Sequence, residues 1–325
     1  MSNITFLQFF FGIILIGLGA KLMVSITEDL SAKLNISHFA SSFIFIGLAT
    51  SSPEIFVTIL STINNESNVA IGNALGSNIA NIAFVFALSL LFVKISKSDK
   101  NSIITYEMTS FFKCLVLYII ILIPVLWDGK VDLYESFVLI AVLLSCIFLN
   151  KKSSKKDVGK NIITNKDEVY FLLFLLVISL SVLLIGTEFF LSSARDFAKY
   201  MGISKYVMGL SITAIGSSLP ELATSIASVK KKNIDFIIGN ILGSNIFNIV
   251  IVMGLIGLIE AFLNTASLEL LARKDVIRDI IMISITTLAL VLVAKNYNSY
   301  FVKSMGIILL TSFIIYQMNL YGFSV

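Results

Sequence analysis

Residues 71–82 read IGNALGSNIANI and residues 238–249 read IGNILGSNIFNI, with ten of the twelve positions identical. The same offset of 167 lays TSSPE at 50–54 over SSLPE at 217–221, and Gly19 over Gly186. Agreement this dense is beyond chance, so the chain is an internal duplication. Whatever fold one half adopts must be buildable twice, and any site between the halves has two related sides.

The repeating unit is made of apolar runs long enough to cross a bilayer, each about 20 residues. In the first half they lie near 4–26, 36–61, 68–93, 111–127 and 131–149. In the second they lie near 169–191, 203–229, 234–260, 279–295 and 301–321. The one long polar stretch, KKSSKKDVGKNIITNKDE at 151–168, divides residues 1–150 from residues 169–325 and reads as a solvent-exposed linker. ITYEMTSFFK and SLELLARKDVIRD, before the fourth and ninth runs, are of mixed polarity and are expected at the membrane surface. The expected fold class is therefore an all-α membrane protein with ten transmembrane helices. A unit of five spans ends on the opposite side from its start. Its second copy must then be inserted upside down, giving two inverted five-helix repeats, a plan common in secondary transporters.

Composition agrees. Hydrophobic residues make up 57% of the chain, charged residues 14%, and the mean hydropathy is +0.95. That excludes a disordered chain, a nucleic-acid-binding domain and an ordinary soluble enzyme. The net charge of +4 matters less than where the lysines fall. Lys94, Lys97 and Lys100, the linker lysines from Lys151 to Lys166, and Lys230, Lys231 and Lys232 share one side. The other side carries fewer, mainly Lys130, Arg195, Lys199, Lys205, Arg273, Lys274 and Arg278. The positive-inside rule then places the linker in the cytoplasm and both termini outside. The first run lacks a basic leader and a small-residue cleavage site, and is expected to be a retained span. Cys114 and Cys146 lie in apolar stretches and His38 is the lone histidine, which leaves no zinc site and no Ser/His or Cys/His catalytic group.

Most acids sit in loops or near span ends. Glu54 and Glu221 do not. They lie mid-span, at the same position of each repeat, with no basic residue in the adjacent motifs. Two unpaired carboxylates in a low-dielectric site repel, and a bound cation removes that cost. Each follows a proline, Pro53 or Pro220, and the chain has only three. Proline removes a helix donor, so carbonyls near Gly47, Ala49 and Thr50, and near Ala214, Gly216 and Ser217, are expected to be partly freed. Thr50, Ser51, Ser217 and Ser218 surround the acids. Ser77, Asn81, Ser244 and Asn248 come from the GNxLGSN segments, where Gly72, Gly76, Gly239 and Gly243 allow close helix approach. An all-oxygen set without thiol or imidazole suits hard cations. Two carboxylates with adaptable neighbours match one Ca²⁺ better than octahedral Mg²⁺, and Na⁺ can use the same oxygens.

These paired PE and GNxxGSN motifs resemble the two alpha repeats of the cation/calcium antiporter superfamily, and most closely its prokaryotic sodium/calcium exchangers. The likeness covers nearly the whole chain. It implies alternating access, with Na⁺ entry driving Ca²⁺ export, and no enzymatic reaction or resident cofactor. By motif position, Ca²⁺ would be bound by Glu54, Glu221 and the backbone oxygens of Thr50 and Ser217. Na⁺ would be held by Glu54, Ser51, Ser77 and the Gly47 carbonyl on one side. On the other it would be held by Glu221, Ser218, Ser244 and the Ala214 carbonyl, with Asn81 and Asn248 completing the centre. The implied partners are these ions and the lipid bilayer, with no nucleic acid, and the implied location is the plasma membrane. The sequence departs from the family's TSLPE at Ser52 and Ser217, has Gly47 where alanine is common, and has Asn248 where sodium/calcium exchangers typically carry aspartate. Asparagine cannot ionise, so no proton couples through it. Alternatives are a Ca²⁺/H⁺ antiporter of the same superfamily, which usually has a further acid where Ser77 and Ser244 stand, a cation channel, and an intramembrane serine hydrolase. The hydrolase would need a base other than His38.

Overall fold

A computed structural model describes residues 3–93, 106–150, 166–200, 214–264, 273–296 and 298–320, all of it helix and short connections. The helices are α1 (Asn3–Leu34), α2 (His38–Ile63), α3 (Ser67–Phe92), α4 (Tyr106–Val125) and α5 (Leu133–Asn150), then α6 (Lys166–Tyr200). They continue with α7 in two pieces (Ala214–Ser217 and Leu219–Lys230), α8 (Ile234–Leu263), α9 (Arg273–Lys295) and α10 (Ser299–Leu320). Eight of the described helices are long and apolar enough to cross a membrane. Large apolar side chains such as Phe56, Phe137, Phe174 and Leu288 point outward, while polar side chains such as Glu54, Asn78, Glu221 and Asn245 are buried. That inversion of the soluble pattern suits a lipid surround.

Several expected boundaries move outward. α1 runs on to Leu34 because Glu28, Leu30, Ala32, Lys33 and Leu34 are good helix formers and the segment has a face to bury. Leu30 is fully buried, Lys33 pairs with Glu168, and Glu28 pairs with Lys231. α6 begins at Lys166, inside the expected linker, whose residues 151–165 lie outside the described residues. The described parts of the two mixed-polarity segments are not separate surface pieces. They form the first turns of α4 and α9. At the start of α9, Arg278 bridges Asp275 and Asp279, and the Tyr316 hydroxyl of α10 donates to Asp279 at 2.9 Å, so the charges there are satisfied within the protein. Residues 203–213 of the seventh expected span also lie outside the described residues.

The duplication is visible in the contacts. α1 and α6 pack antiparallel. Phe9 meets Phe190 near one end, and Lys33 meets Glu168 near the other. Between them the helices touch through glycines. A Cβ at Gly19 would lie 2.7 Å from the Leu183 nitrogen, and one at Gly186 2.7 Å from the Ile16 nitrogen. The offset of 167 turns the first of these contacts into the second, as a two-fold axis between antiparallel helices requires. The turn after α2 and the turn after α7 also match. Asn65 and Lys232 take left-handed φ of 59° and 57°, and the bonds Asn64 N to Leu60 O and Lys231 N to Ala227 O are 3.1 and 3.3 Å.

Candidate functional site

α2 and α7 are both interrupted at a serine. Ser51 (φ −77°, ψ 2°) separates Leu48–Thr50 from Ser52–Ile63, and Ser218 (φ −86°, ψ 6°) separates Ala214–Ser217 from Leu219–Lys230. Proline is tolerated in the first turn of a helix because its missing N–H is not needed there. Pro53 and Pro220 therefore start new helical pieces rather than bending old ones. Glu54 and Glu221 lie in those first turns, where unpaired N–H groups and the positive end of the helix dipole favour negative charge.

Both carboxylates are fully buried, and none of their four oxygens has a hydrogen-bond partner at ordinary distance. They act on each other electrostatically. The Ser77 and Ser217 hydroxyls lie beside Glu54, and those of Thr50 and Ser244 beside Glu221. Each acid is thus served by one hydroxyl from each repeat. The hydroxyls meet in pairs, Thr50 with Ser244 at 3.2 Å and Ser77 with Ser217 at 3.3 Å, and the offset of 167 exchanges the two pairs. Asn81 and Asn248 are fully buried, and both amide atoms of each lack a partner. Each opens a π-helical stretch, Asn81–Phe86 in α3 or Asn248–Val252 in α8, a distortion frequent at functional sites. The stretch begun by Asn248 packs on the helix piece carrying Glu54, and the stretch begun by Asn81 on the piece carrying Glu221.

The expected freed carbonyl at Gly47 is not free. It accepts from the Ser51 backbone N–H at 3.3 Å, the Ser51 hydroxyl at 3.0 Å and the Ser244 hydroxyl at 3.3 Å. The reason is positional. Pro53 withdraws the donor that Ala49 would use, whereas Gly47 is served by Ser51, which keeps its N–H. The hydroxyl from the GNxLGSN segments that reaches Gly47 is that of Ser244, not Ser77, so the groups cross between repeats. The Ser218 hydroxyl is buried and unpartnered. Ala214 begins α7, and its side chain lies outside the described residues.

Sequence reasoning missed the asparagines that frame the hydroxyls. Thr50 Oγ1 donates to Asn240 Oδ1 at 3.3 Å, and Asn240 Nδ2 donates to Thr224 and Ser225 of α7 at 3.1 and 3.2 Å. Asn245 Nδ2 donates to the Asn78 carbonyl at 3.3 Å, a contact the offset of 167 maps onto the same pair of positions. Both asparagines of each motif were visible as an identity between the repeats. A buried amide needs partners, and that was the available signal. Among the described residues no three of His, Cys, Asp and Glu gather. A cation here must be held by two carboxylates with hydroxyl, amide and carbonyl oxygens, which is hard-ion chemistry.

The model of the sodium/calcium exchanger protein family matches residues 4–151 and again residues 171–322. The chain belongs to that family. Similar proteins cover it almost end to end. Inner membrane protein YrbG of Escherichia coli is 29% identical over 325 residues, 96% of this chain and 95% of its own. Sodium/calcium exchanger MaX1 of Methanosarcina acetivorans is 24% identical over 337 residues, 92% and 93% of the two chains. A solved structure of the sodium-calcium exchanger NCX_Mj, soaked with Na⁺ and Sr²⁺, superposes with a TM-score of 0.78 at 27% identity, covering 97% of this chain and 98% of that one. As a family member the chain is an integral membrane cation/calcium antiporter, a transporter whose substrates are ions.

Proposed function

We propose that this exchanger carries Na⁺ against Ca²⁺ by alternating access, with the ion site between Glu54 and Glu221. The observation that carries the reading is the pair of buried carboxylates whose four oxygens lack partners. An ionised group held in such a place costs several kcal/mol unless something compensates it, and a divalent cation does so for both at once. Ca²⁺ takes 6–8 oxygens in adaptable geometry. The carboxylates supply four, and Thr50 and Ser217 at the two helix breaks supply the next. In the other state the Ser51 and Ser244 hydroxyls turn from the Gly47 carbonyl, which they hold in this structure, to the ions. Na⁺ then spreads over Glu54, Ser51, Ser77 and the Gly47 carbonyl, and over Glu221, Ser218, Ser244 and the Ala214 carbonyl, with Asn81 and Asn248 between. The relatives named as sodium/calcium exchangers support the choice of Na⁺. So does the absence of any third acid in the two motif segments, which would suit proton exchange.

In this reading ten spans form two inverted five-helix repeats, residues 1–150 and 169–325. They are joined by a cytoplasmic linker at 151–168 in the plasma membrane, with both termini outside. The reciprocal α1–α6 contacts and the exchangeable hydroxyl pairs support it. Three Na⁺ on two carboxylates leave the loaded carrier near +1, and one Ca²⁺ leaves it near neutral. Exchange is then electrogenic, worth about 2.3 kcal/mol per charge per 100 mV.

Reconstituted vesicles loaded with Na⁺ and diluted into Na⁺-free medium should accumulate radiolabelled calcium, and an inside-positive potential should speed the uptake, because each cycle carries one net positive charge outward. A pH gradient of equal size should drive none. Uptake that follows the pH gradient and ignores Na⁺ would sink the sodium reading and leave a calcium/proton antiporter.

A further inference from the structure

Between α1, α6 and the second piece of α7 lies a cavity of about 440 Å³, away from the ion site. Its size falls within the roughly 300–1,000 Å³ of pockets that take small organic ligands. Its walls are apolar, built by Ile13, Ile16, Phe190, Leu219, Leu222 and Ile226, and three lysines line it as well, Lys21, Lys230 and Lys231. Lys231 is neutralised by Glu28. Lys21 and Lys230 have no acidic partner among the described residues. Lys21 belongs to the span Thr5–Leu34, where an ammonium without a counter-ion is costly and marks a site.

One turn before Lys21, Gly17 also lines the cavity. A Cβ there would meet nothing within 4 Å, whereas one at Gly12 or Gly19 on the same helix would strike the α6 backbone at 2.7 Å. Helix packing thus requires Gly12 and Gly19 but not Gly17. The missing side chain at Gly17 serves only to leave the trough open.

We propose that this groove holds one anionic phospholipid, its acyl chain along the apolar walls and its phosphate on Lys21 and Lys230. Charge complementarity selects the occupant. An apolar trough beside two unneutralised ammonium groups fits a molecule with a hydrocarbon body and a net negative head. Lys230 adjoins the Lys231–Lys232 loop that the lysine distribution places in the cytoplasm, and the cytoplasmic leaflet is the one rich in anionic lipid. A zwitterionic lipid fills the same walls but brings its own ammonium to the lysines. Leu219, Leu222 and Ala223 flank Glu221 in α7, so the lipid also backs the helix piece that carries the ion site.

The test uses the full chain in detergent, mixed with phosphatidylglycerol or phosphatidylcholine of identical acyl chains and read by native mass spectrometry. Wild type should retain phosphatidylglycerol roughly 10- to 30-fold better, the effect of two lysines near a charged headgroup. Lys21→Gln with Lys230→Gln should erase that preference while leaving the thermal midpoint in phosphatidylcholine unchanged. Gly17→Phe starts from an open Cβ position and projects a ring into the trough, and should displace phosphatidylglycerol with both lysines present. Equal retention of the two lipids by wild type overturns the proposal. So does a preference that survives the double lysine variant, whatever the Gly17 variant does.

Discussion

Glu54→Gln and Glu221→Gln are each expected to reduce Na⁺-driven calcium uptake at least about 100-fold, the equivalent of about 3 kcal/mol or more for breaking a buried charge pairing. Glutamine keeps the shape and volume of the side chain but replaces an acceptor oxygen with an N–H₂ donor and removes one formal charge. A divalent cation between the two positions would then face a single carboxylate and a repelling amide hydrogen. Because the two acids are related by the repeat, the two variants should fail alike, and the double variant should be no worse than either. Folding separates this from simple damage. The Ser77 and Ser217 hydroxyls beside Glu54, and those of Thr50 and Ser244 beside Glu221, can donate to a glutamine oxygen as they can to a carboxylate, so the substitution leaves the surrounding contacts in place. The thermal midpoint without Ca²⁺ should stay within a few degrees of wild type, while the stabilisation that added Ca²⁺ gives wild type should vanish. Full transport by both variants would place the ion elsewhere.

Gly243→Ala is expected to damage both stability and transport although Gly243 contributes no ligand. A Cβ at Gly243 would lie 2.7 Å from the Phe43 carbonyl oxygen and 3.2 Å from the Gly47 Cα. Both are backbone atoms of α2 and cannot swing aside as a side-chain tip can. The helices must separate, at about 1–3 kcal/mol for overpacking. The separation falls where the Ser244 hydroxyl meets the Gly47 carbonyl. Thermal stability should drop, and uptake should fall about tenfold or more, since small misplacements at a site have large effects. Gly72→Ala is the control. Gly72 is equivalent to Gly239 in the other repeat, yet a Cβ there meets nothing within 4 Å, while one at Gly239 would lie 2.6 Å from the Phe39 carbonyl. Alanine at Gly72 should be neutral or stabilise the helix by up to about 1 kcal/mol. Equal damage from both substitutions would mean that the close approach of α2 and α8 is not what Gly243 protects.

The contrast between Gly72 and Gly239 shows how far the sequence could be read. Hydropathy located the apolar body of each described helix but fell short at the ends of α1 (Leu34, not residue 26) and α6 (Tyr200, not 191) and at the start of α9 (Arg273, not 279), and the offset of 167 identified Glu54 and Glu221 as one position seen twice. Charged helix ends such as Thr27–Leu34 escaped, because hydropathy sees the apolar run and not the salt bridges of Glu28 and Lys33 that prolong the helix. Repeat identity says which residues are equivalent. It does not say which residue of one repeat faces which residue of the other. Contacts between the repeats can join unlike positions, as Thr50 joins Ser244, or equivalent ones, as Asn245 joins Asn78. The crossing of Ser244 to the Gly47 carbonyl, and the framing of Thr50 by Asn240, are therefore visible only in the folded structure. Equivalent positions also need not have equal surroundings, and Gly72 and Gly239 do not.

The most direct measurement is an experimental density map of the protein prepared in Ca²⁺ and again in Na⁺ without Ca²⁺. The expected result is one strong peak in Ca²⁺, within about 2.3–2.6 Å of oxygens from both Glu54 and Glu221. In Na⁺ that peak should be replaced by weaker ones spread toward Ser51, Ser77, Ser218 and Ser244. A calcium peak touching neither carboxylate, or the same peak surviving excess Na⁺, would contradict a shared site between the two repeats.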